Sequence, residues 1–318
     1  MVDEQVYGNV DGDAIVIGGQ TPRDSDALET GLRVETGLYN KAAVAKATVL
    51  GDHSEGDEIS VELVDGSIFS GTVQNTENGV GDRTRVTAYD AIYDLKRTEI
   101  SLKLDVTNAE LAIKDEVEKR IDVDVVIEAS SRTDVATNFK ETALDAYVEK
   151  MAKLTNTVWY VNYSNQLVID DPGSVGRERS LERLIDVSAG KRSPAYQSVR
   201  VIGNSATSRR GKDHKHMVAS EPVVATAGDG DPEFRFEDDS IGSQEQAQNV
   251  ADSIRNRLKR QQKGGYVEVV GRNDLRPWDI VELPEAQGGE SYTVSTVKHT
   301  VGAEGWKTRL GLGGLVSA

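Results

Sequence analysis

Cysteine is absent from the 318 residues, which excludes disulfide staples, thiol catalysis and cysteine metal sites. Proline occurs only seven times, and aromatic residues make up 5% of the chain. No apolar run exceeds four residues, as at Ala14–Ile17 and Val158–Val161, far short of the roughly 20 that a membrane-spanning helix needs. The opening MVDEQVYGNVDGD has neither a basic n-region nor an apolar h-region, so no signal peptide is expected. Lysine is scarce, at 16 residues against 21 arginines, and 53 acidic side chains bring the net charge to −16. A field of that sign repels phosphate and disfavours nucleic-acid recognition. Carboxylate excess with little lysine is the composition of a protein kept soluble in high salt, and it predicts a halophilic source.

Glycine, by contrast, numbers 30, which favours many tight turns. In DEISVELVDGSIFSGTVQN, from Asp57, Ile59, Val61 and Leu63 alternate with Glu58, Ser60 and Glu62, the pattern of a strand with one wet face. Asp65-Gly66 supplies a hairpin turn, because a type I′ turn needs positive φ at both central positions. A further strand follows at Arg83–Ala88, and a short helix at Asp90–Lys96. Thr107-Asn108-Ala109-Glu110 reads as a capping box opening a helix to about Arg120. Asn138–Asn156 is an amphipathic stretch carrying Phe139, Leu144, Tyr147, Val148, Met151 and Leu154 at helical spacing. After it, TVWYVNYSNQLVID makes two strands around a turn at Ser164-Asn165. Glu178–Pro194 reads as a linker. Ser243-Gln244-Glu245-Gln246 is a second capping box, opening a long amphipathic helix over 243–263 with a C-cap at Gly264-Gly265. Strands resume with GYVEVVG, WDIVELP, SYTVSTVKHTV and WKTRLGLGG.

The two ends resemble each other. GDEISVEL leads through a turn to SIFSGTVQNTENGVGDRTRVTAYD, and PWDIVELP leads to SYTVSTVKHTVGAEGWKTRLGLGG. Each has an acidic entry, an alternating strand, a hairpin, a second strand with a Thr-Val element, a glycine turn and a third strand that starts on a basic residue. Length, composition and pattern together predict a β-rich α+β protein. Two small antiparallel β-barrels, at 1–100 and 191–318, are related by duplication and separated by a small α/β domain at 101–190. Closure into barrels removes exposed sheet edges.

Three segments, in this order, resemble the baseplate and tail hub proteins of tailed viruses, the family of phage late control proteins and of hubs in contractile injection systems. They are GDEISVELVDGSIFSGTVQN running into RVTAYDAIYDLKR, ALDAYVEKMAKLTNTVWYVNYSNQLVI, and AQNVADSIRNRLKRQQKGGYVEVVG followed by LRPWDIVEL. The first 45 residues fit this pattern less well, and the acidity departs from it in the direction of a virus of a halophilic archaeon. The resemblance implies a non-enzymatic virion protein at the tail tip, assembled in the host cytoplasm without a cofactor. It further implies a homotrimer whose six barrels form a pseudo-sixfold ring. Its partners would be the tail tube or distal tail protein, the tape measure, and tip, spike or fibre proteins. DNA passes through such a ring without specific binding.

The remaining motifs are weaker. His214 and His216, with Asp213, offer donors to a transition ion, but Lys215 stands between them and no third histidine is near. A metal-dependent hydrolase using His214 and His216 is one alternative function; a secreted carbohydrate-binding or adhesive β protein is another. Asp229, Asp231 and Glu233 lack the twelve-residue frame of a calcium loop. The neighbours Asp170-Asp171 and Asp238-Asp239 do not supply two carboxyls facing each other across a sugar cleft. Arg209-Arg210 with Lys212 lacks interleaved aromatics. Trp278 and Trp306, in the rear unit, are the expected anchors of a subunit interface.

Overall fold

A computed structural model describes residues 14–17, 31–38, 41–50, 52–63, 66–80, 83–130, 133–181, 183–191, 196–205, 221–261, 263–284, 289–302 and 305–315. The front half holds β1 (Ala14–Ile17), β2 (Leu32–Gly37), β3 (Val44–Leu50), β4 (Glu58–Leu63), β5 (Gly66–Asn78) and β6 (Arg83–Tyr89), laid side by side as β1-β4-β5-β6-β3-β2. Alternation drives it: β4 buries Ile59, Val61 and Leu63 while its polar residues face outward. Val34, Ala45, Phe69 and Val86 from the neighbouring strands join these side chains in one apolar cluster. The β4–β5 hairpin pairs Leu63 with Gly66, and Asp65 lies outside the described residues.

The middle begins at α1 (Ala91–Arg97), whose N-cap Asp90 accepts a hydrogen bond from the Ile92 N–H at 3.1 Å. Next come β7 (Glu99–Asn108), α2 (Ala109–Glu118), β8 (Val125–Ile127), β9 (Asp134–Ala143), α3 (Leu144–Thr155), β10 (Val158–Val161) and β11 (Leu167–Asp170). β7 and β9 make a two-stranded ribbon, and β10-β11-β8 a three-stranded sheet. The ribbon changes two expectations. Phe139 is in β9, opposite Leu102, so α3 starts at Leu144 rather than near Asn138. Thr107 pairs with Val135 in the ladder, so the cap of α2 is Asn108, whose Oδ1 accepts from the Leu111 N–H at 2.9 Å.

That shift leaves Glu110 without the role that a capping box would give it. Its side chain is fully buried, and neither carboxylate oxygen has a hydrogen-bond partner. Burying an unsatisfied polar group is costly, so an apolar residue of similar length relieves the penalty. Glu110→Met is expected to stabilise the protein by about 1–3 kcal/mol, read as a higher denaturation midpoint. An unchanged or lowered midpoint would contradict this account.

The rear half contains β12 (Glu178–Ser180), β13 (Leu184–Lys191), β14 (Ser198–Ser205), β15 (Glu221–Ala227), β16 (Glu233–Glu237), α4 (Gln244–Gln261), β17 (Lys263–Val270), β18 (Ile280–Glu282), β19 (Ser291–Gly302) and β20 (Gly305–Leu315). Most of the stretch read as a linker, at Glu178–Ser180 and Leu184–Lys191, is instead strand: β12 pairs β18 and β13 pairs β17. Gly264-Gly265 is also strand and does not cap α4. A Cβ on Gly265 would sit 2.2 Å from the Ser188 carbonyl oxygen, so close approach of β13 explains that glycine. At the start of α4 the expected box is present in modified form. Ser243 Oγ accepts from the Gln246 N–H, and Gln246 Oε1 accepts from the Gly242 N–H at 3.0 Å.

β15-β14-β16 and α4 form a layer that shares its core with the middle elements: Val199, Val201, Val250 and Ile254 cluster with Tyr147, Met151 and Trp159. The packing groups β14, β15, β16 and α4 with the middle elements, while β12 and β13 belong to the rear sheet.

The remaining rear strands run β12-β18-β19-β20-β17-β13 over a second apolar cluster containing Val267, Val294 and Leu310. Ranking only the six strands of each sheet in chain order gives the same spatial order in front and rear, although β1 runs antiparallel to β4 and β12 parallel to β18. β2 joins β19, so the halves make one twelve-stranded sheet. Among the described residues no ladder closes either half into a ring by itself.

Candidate assembly interface

The turns that lead into the two sheets make the same hydrogen bonds. In front, Asp57 Oδ2 accepts from the Ser54 N–H at 2.9 Å, and the Val73 N–H donates to the Asp57 carbonyl at 2.9 Å. In the rear, Asp279 Oδ2 accepts from the Arg276 N–H at 2.8 Å, and the Val294 N–H donates to the Asp279 carbonyl at 2.7 Å. The residues before the two aspartates, Gly56 and Trp278, have φ of +93° and +82°. Register shifts lie directly after Val73 in β5 and directly after Val294 in β19, and β19 has a second one directly before Val294. Carrying this register along the strands sets Thr84 opposite Asn78 and Thr308 opposite His299, and both threonines are buried.

The halves meet where Leu32–Gly37 pairs with Thr296–Val301. Leu32 and Val301 stand opposite each other, 1% and 6% exposed, so the rear hairpin closes over the front core. Trp306 packs on that same core. His299 is fully buried at this seam, with Nδ1 3.1 Å from Thr308 Oγ1 and no partner at Nε2. Burial, aided by the positive charge of Arg276, pulls its pKa down to about 3, which keeps the ring neutral.

Two strand edges stay open. β13 ends the sheet, and no described strand pairs with its outer edge. On β5, residues 56–63 cover one edge only as far as Val73, which leaves Gln74–Asn78 without a described partner strand on that side. The corresponding stretch of β19 is the one that β2 covers.

A cleft of about 850 Å³ lies where front, middle and rear meet, lined in part by Asp90, Tyr163, Arg179, Arg276 and Asp279. It is a clamp of structural bonds. The Arg276 guanidinium lies 3.8 Å from the centre of the Tyr163 ring, and Asp279 also accepts from the Arg177 N–H at 3.0 Å. Asn165 Oδ1 accepts from the Ala91 N–H at 2.8 Å, tying the β10–β11 turn to α1. Burial pushes the Asp90 carboxyl up to about 7, against the hydrogen bond from Ile92. The cations here face carboxylates: Arg272 pairs with Asp274 at 2.6 Å, and Arg179 approaches Asp274 and Asp279 at 3.6 and 3.5 Å.

Trp278 is 4% exposed, so within one chain little of its ring is left for a neighbour, while Trp306 serves the internal seam. His214 and His216 lie outside the described residues, as do Arg209-Arg210 and Lys212. Among the described residues there is no cluster of three metal-ligating side chains. Asp171 accepts from the Ser130 N–H and hydroxyl, and Asp238 from those of Ser240, which gives both aspartates local structural work. No helix among the described residues is long and apolar enough to cross a membrane. The open edges and the Asp279 turn were not singled out from sequence; the shared acidic entries of the two ends, GDEI and PWDI, were their only trace.

No protein-family description matches the sequence, and no curated protein sequence does. Solved structures match over nearly the whole chain. The tail protein from Neisseria meningitidis MC58 aligns with a TM-score of 0.73 at 12% identity, covering 95% of this chain and 96% of its own. The fold is that of phage tail proteins. A 43 kDa tail protein of prophage MuSo2 from Shewanella oneidensis gives 0.69 at 13% identity, with 94% and 97% covered. The phage-tail fold also extends to an E. coli component of the type VI secretion system, described as similar to the T4 tail proteins gp27 and gp5. That match has a TM-score of 0.63 at 9% identity, with 95% and 77% covered.

Proposed function

We propose that this chain is a structural protein of a viral tail, a hub of which three copies close into a ring around the genome conduit and join the tail tube to the tip. The observation that carries the reading is the repeated half: equal strand order, equal aspartate turns and a shared bulge after Val73 and Val294, with one half already docked on the other. On this reading the halves are duplicated β-barrel units, and three chains supply six of them, so a threefold assembly fits a sixfold tube. A head-to-tail contact that closes by rotation is the interface such a cyclic oligomer needs. Whole-length likeness to tail proteins supports the location, and likeness to a Francisella protein in a PdpA–VgrG complex, at a TM-score of 0.51, supports spike or tip partners.

Tube, tape-measure and tip proteins are the partners, and DNA passes unbound because the net charge of −16 repels it. The acidic, lysine-poor surface belongs to a virus of a halophilic archaeon. Native mass measurement in molar KCl tests the reading, with a species of three chains expected. Dialysis to low salt is expected to abolish the strand signal in circular dichroism, reversibly. A chain that stays monomeric at every concentration, alone and with tail components, would refute the hub; indifference to salt would refute the halophilic origin.

A further inference from the structure

We infer that the open edge of β13 receives the distal half of β5 from a second copy of this chain, with Val80 of one copy seated on Val187 of the next. The inference rests on the ring reading and names its seam. Its template is the junction inside the chain. Matching Val73 to Val294 sets Asn78, the last residue of β5, at the place of His299, and counting on two residues past the strand end sets Val80 at the place of Val301. Matching β13 to β2 through their ladders with β17 and β3 sets Val187 at the place of Leu32.

Inside the chain Leu32 and Val301 face each other and both are buried. Their counterparts lack cover. Val80 is 94% exposed, the most exposed of the described large apolar side chains, and Val187 is half-buried at the margin of the rear core. Ile185, two residues away on β13, is 42% exposed and widens the apolar margin. An unpaired strand edge with apolar side chains beside it is a surface for strand pairing. A second copy offers the complementary edge in the register that the internal seam already uses. That register sets Val187 opposite Val80, Ala189 opposite Asn78 and Gly190 opposite Glu77.

Because the chain has no native cysteine, cross-linking reads this contact without background. Wild-type protein is first sized by native mass measurement in molar KCl. Val80→Cys and Val187→Cys chains are then mixed and oxidised, and a reducible covalent dimer is expected only in the mixture. In parallel, Val80→Asp is expected to weaken assembly roughly tenfold or more while leaving the melting of the isolated chain unchanged, since Val80 touches little within its own chain. Wild-type oligomers combined with no mixed cross-link and normal assembly of Val80→Asp would overturn this seam and leave the ring standing. Wild-type protein that is monomeric throughout would overturn both.

Discussion

Gly176→Ala is expected to cost about 2–5 kcal/mol of stability, the sum of a backbone and a packing penalty. Gly176 has φ of +90°, a conformation that a residue with a Cβ adopts only under strain. A Cβ there would also lie 2.2 Å from the carbonyl oxygen of Trp278 and 2.9 Å from its carbon. These are backbone atoms, held because Asp279 accepts from the Arg276, Arg177 and Val294 N–H groups and the Trp278 N–H donates to the Val294 carbonyl. They have little room to yield. Gly173, three residues earlier, is the control: nothing lies within 4 Å of its Cβ position and its φ is not in the positive range. Gly173→Ala should therefore stay within about 0.5 kcal/mol of the parent. Denaturant midpoints in high salt measure both, and equal midpoints for the two variants would defeat the locked-turn account.

The second large effect is a cancellation in the dependence of stability on pH. Asp90 titrates at about 7 in the folded chain against 3.8 for the free group. The native state binds the extra proton, so its contribution is complete below pH 3.8 and is lost as pH rises through about 7. His299 titrates at about 3 against 6.5. Here the unfolded chain binds the extra proton, so stability is complete above pH 6.5 and is lost as pH falls towards 3.

Between pH 3.8 and 6.5 the two slopes oppose, each up to about 1.4 kcal/mol per unit, and stability is expected to be nearly level. Asp90→Asn keeps an oxygen for the Ile92 N–H and removes one slope. Its stability should rise with pH through the window and exceed that of the parent at pH 8 by on the order of 4 kcal/mol. His299→Gln should instead fall with pH. From about pH 4.5 downward, at the acid end of this window, carboxylates held low by partners, such as Glu35 at about 2 through Lys41 and Arg33, add an acid-side loss. Parallel profiles for the parent and both variants would refute the assignment.

What the sequence made legible follows from local rules. The alternation in EISVEL and the turn at Ser164-Asn165 sit where hydrophobic period and turn chemistry put them, and Asn165 has φ of +59°. Failures came where a ladder overrode a local signal. Thr107 and Phe139 carry a cap and a helix period, yet both are consumed by the β7–β9 ribbon. The charged text from Glu178 to Lys191 hides two strands because their partners lie about 70 to 100 residues away, at β17 and β18. Distance along the chain also hid the seam. The likeness of the two ends was visible in residue order, but the pairing of β2 with β19 has no local marker, and neither do the edges it leaves open.

The β2–β19 ladder has a mechanical consequence. Six consecutive residue pairs, from Leu32–Val301 to Gly37–Thr296, weld two sheets that otherwise belong to opposite ends of the polypeptide. Rotating one against the other would shear all six together, so the junction is stiff where a hinge would be needed. In the ring proposed above, the bore would then widen by parting one copy from the next and not by flexing within a protomer.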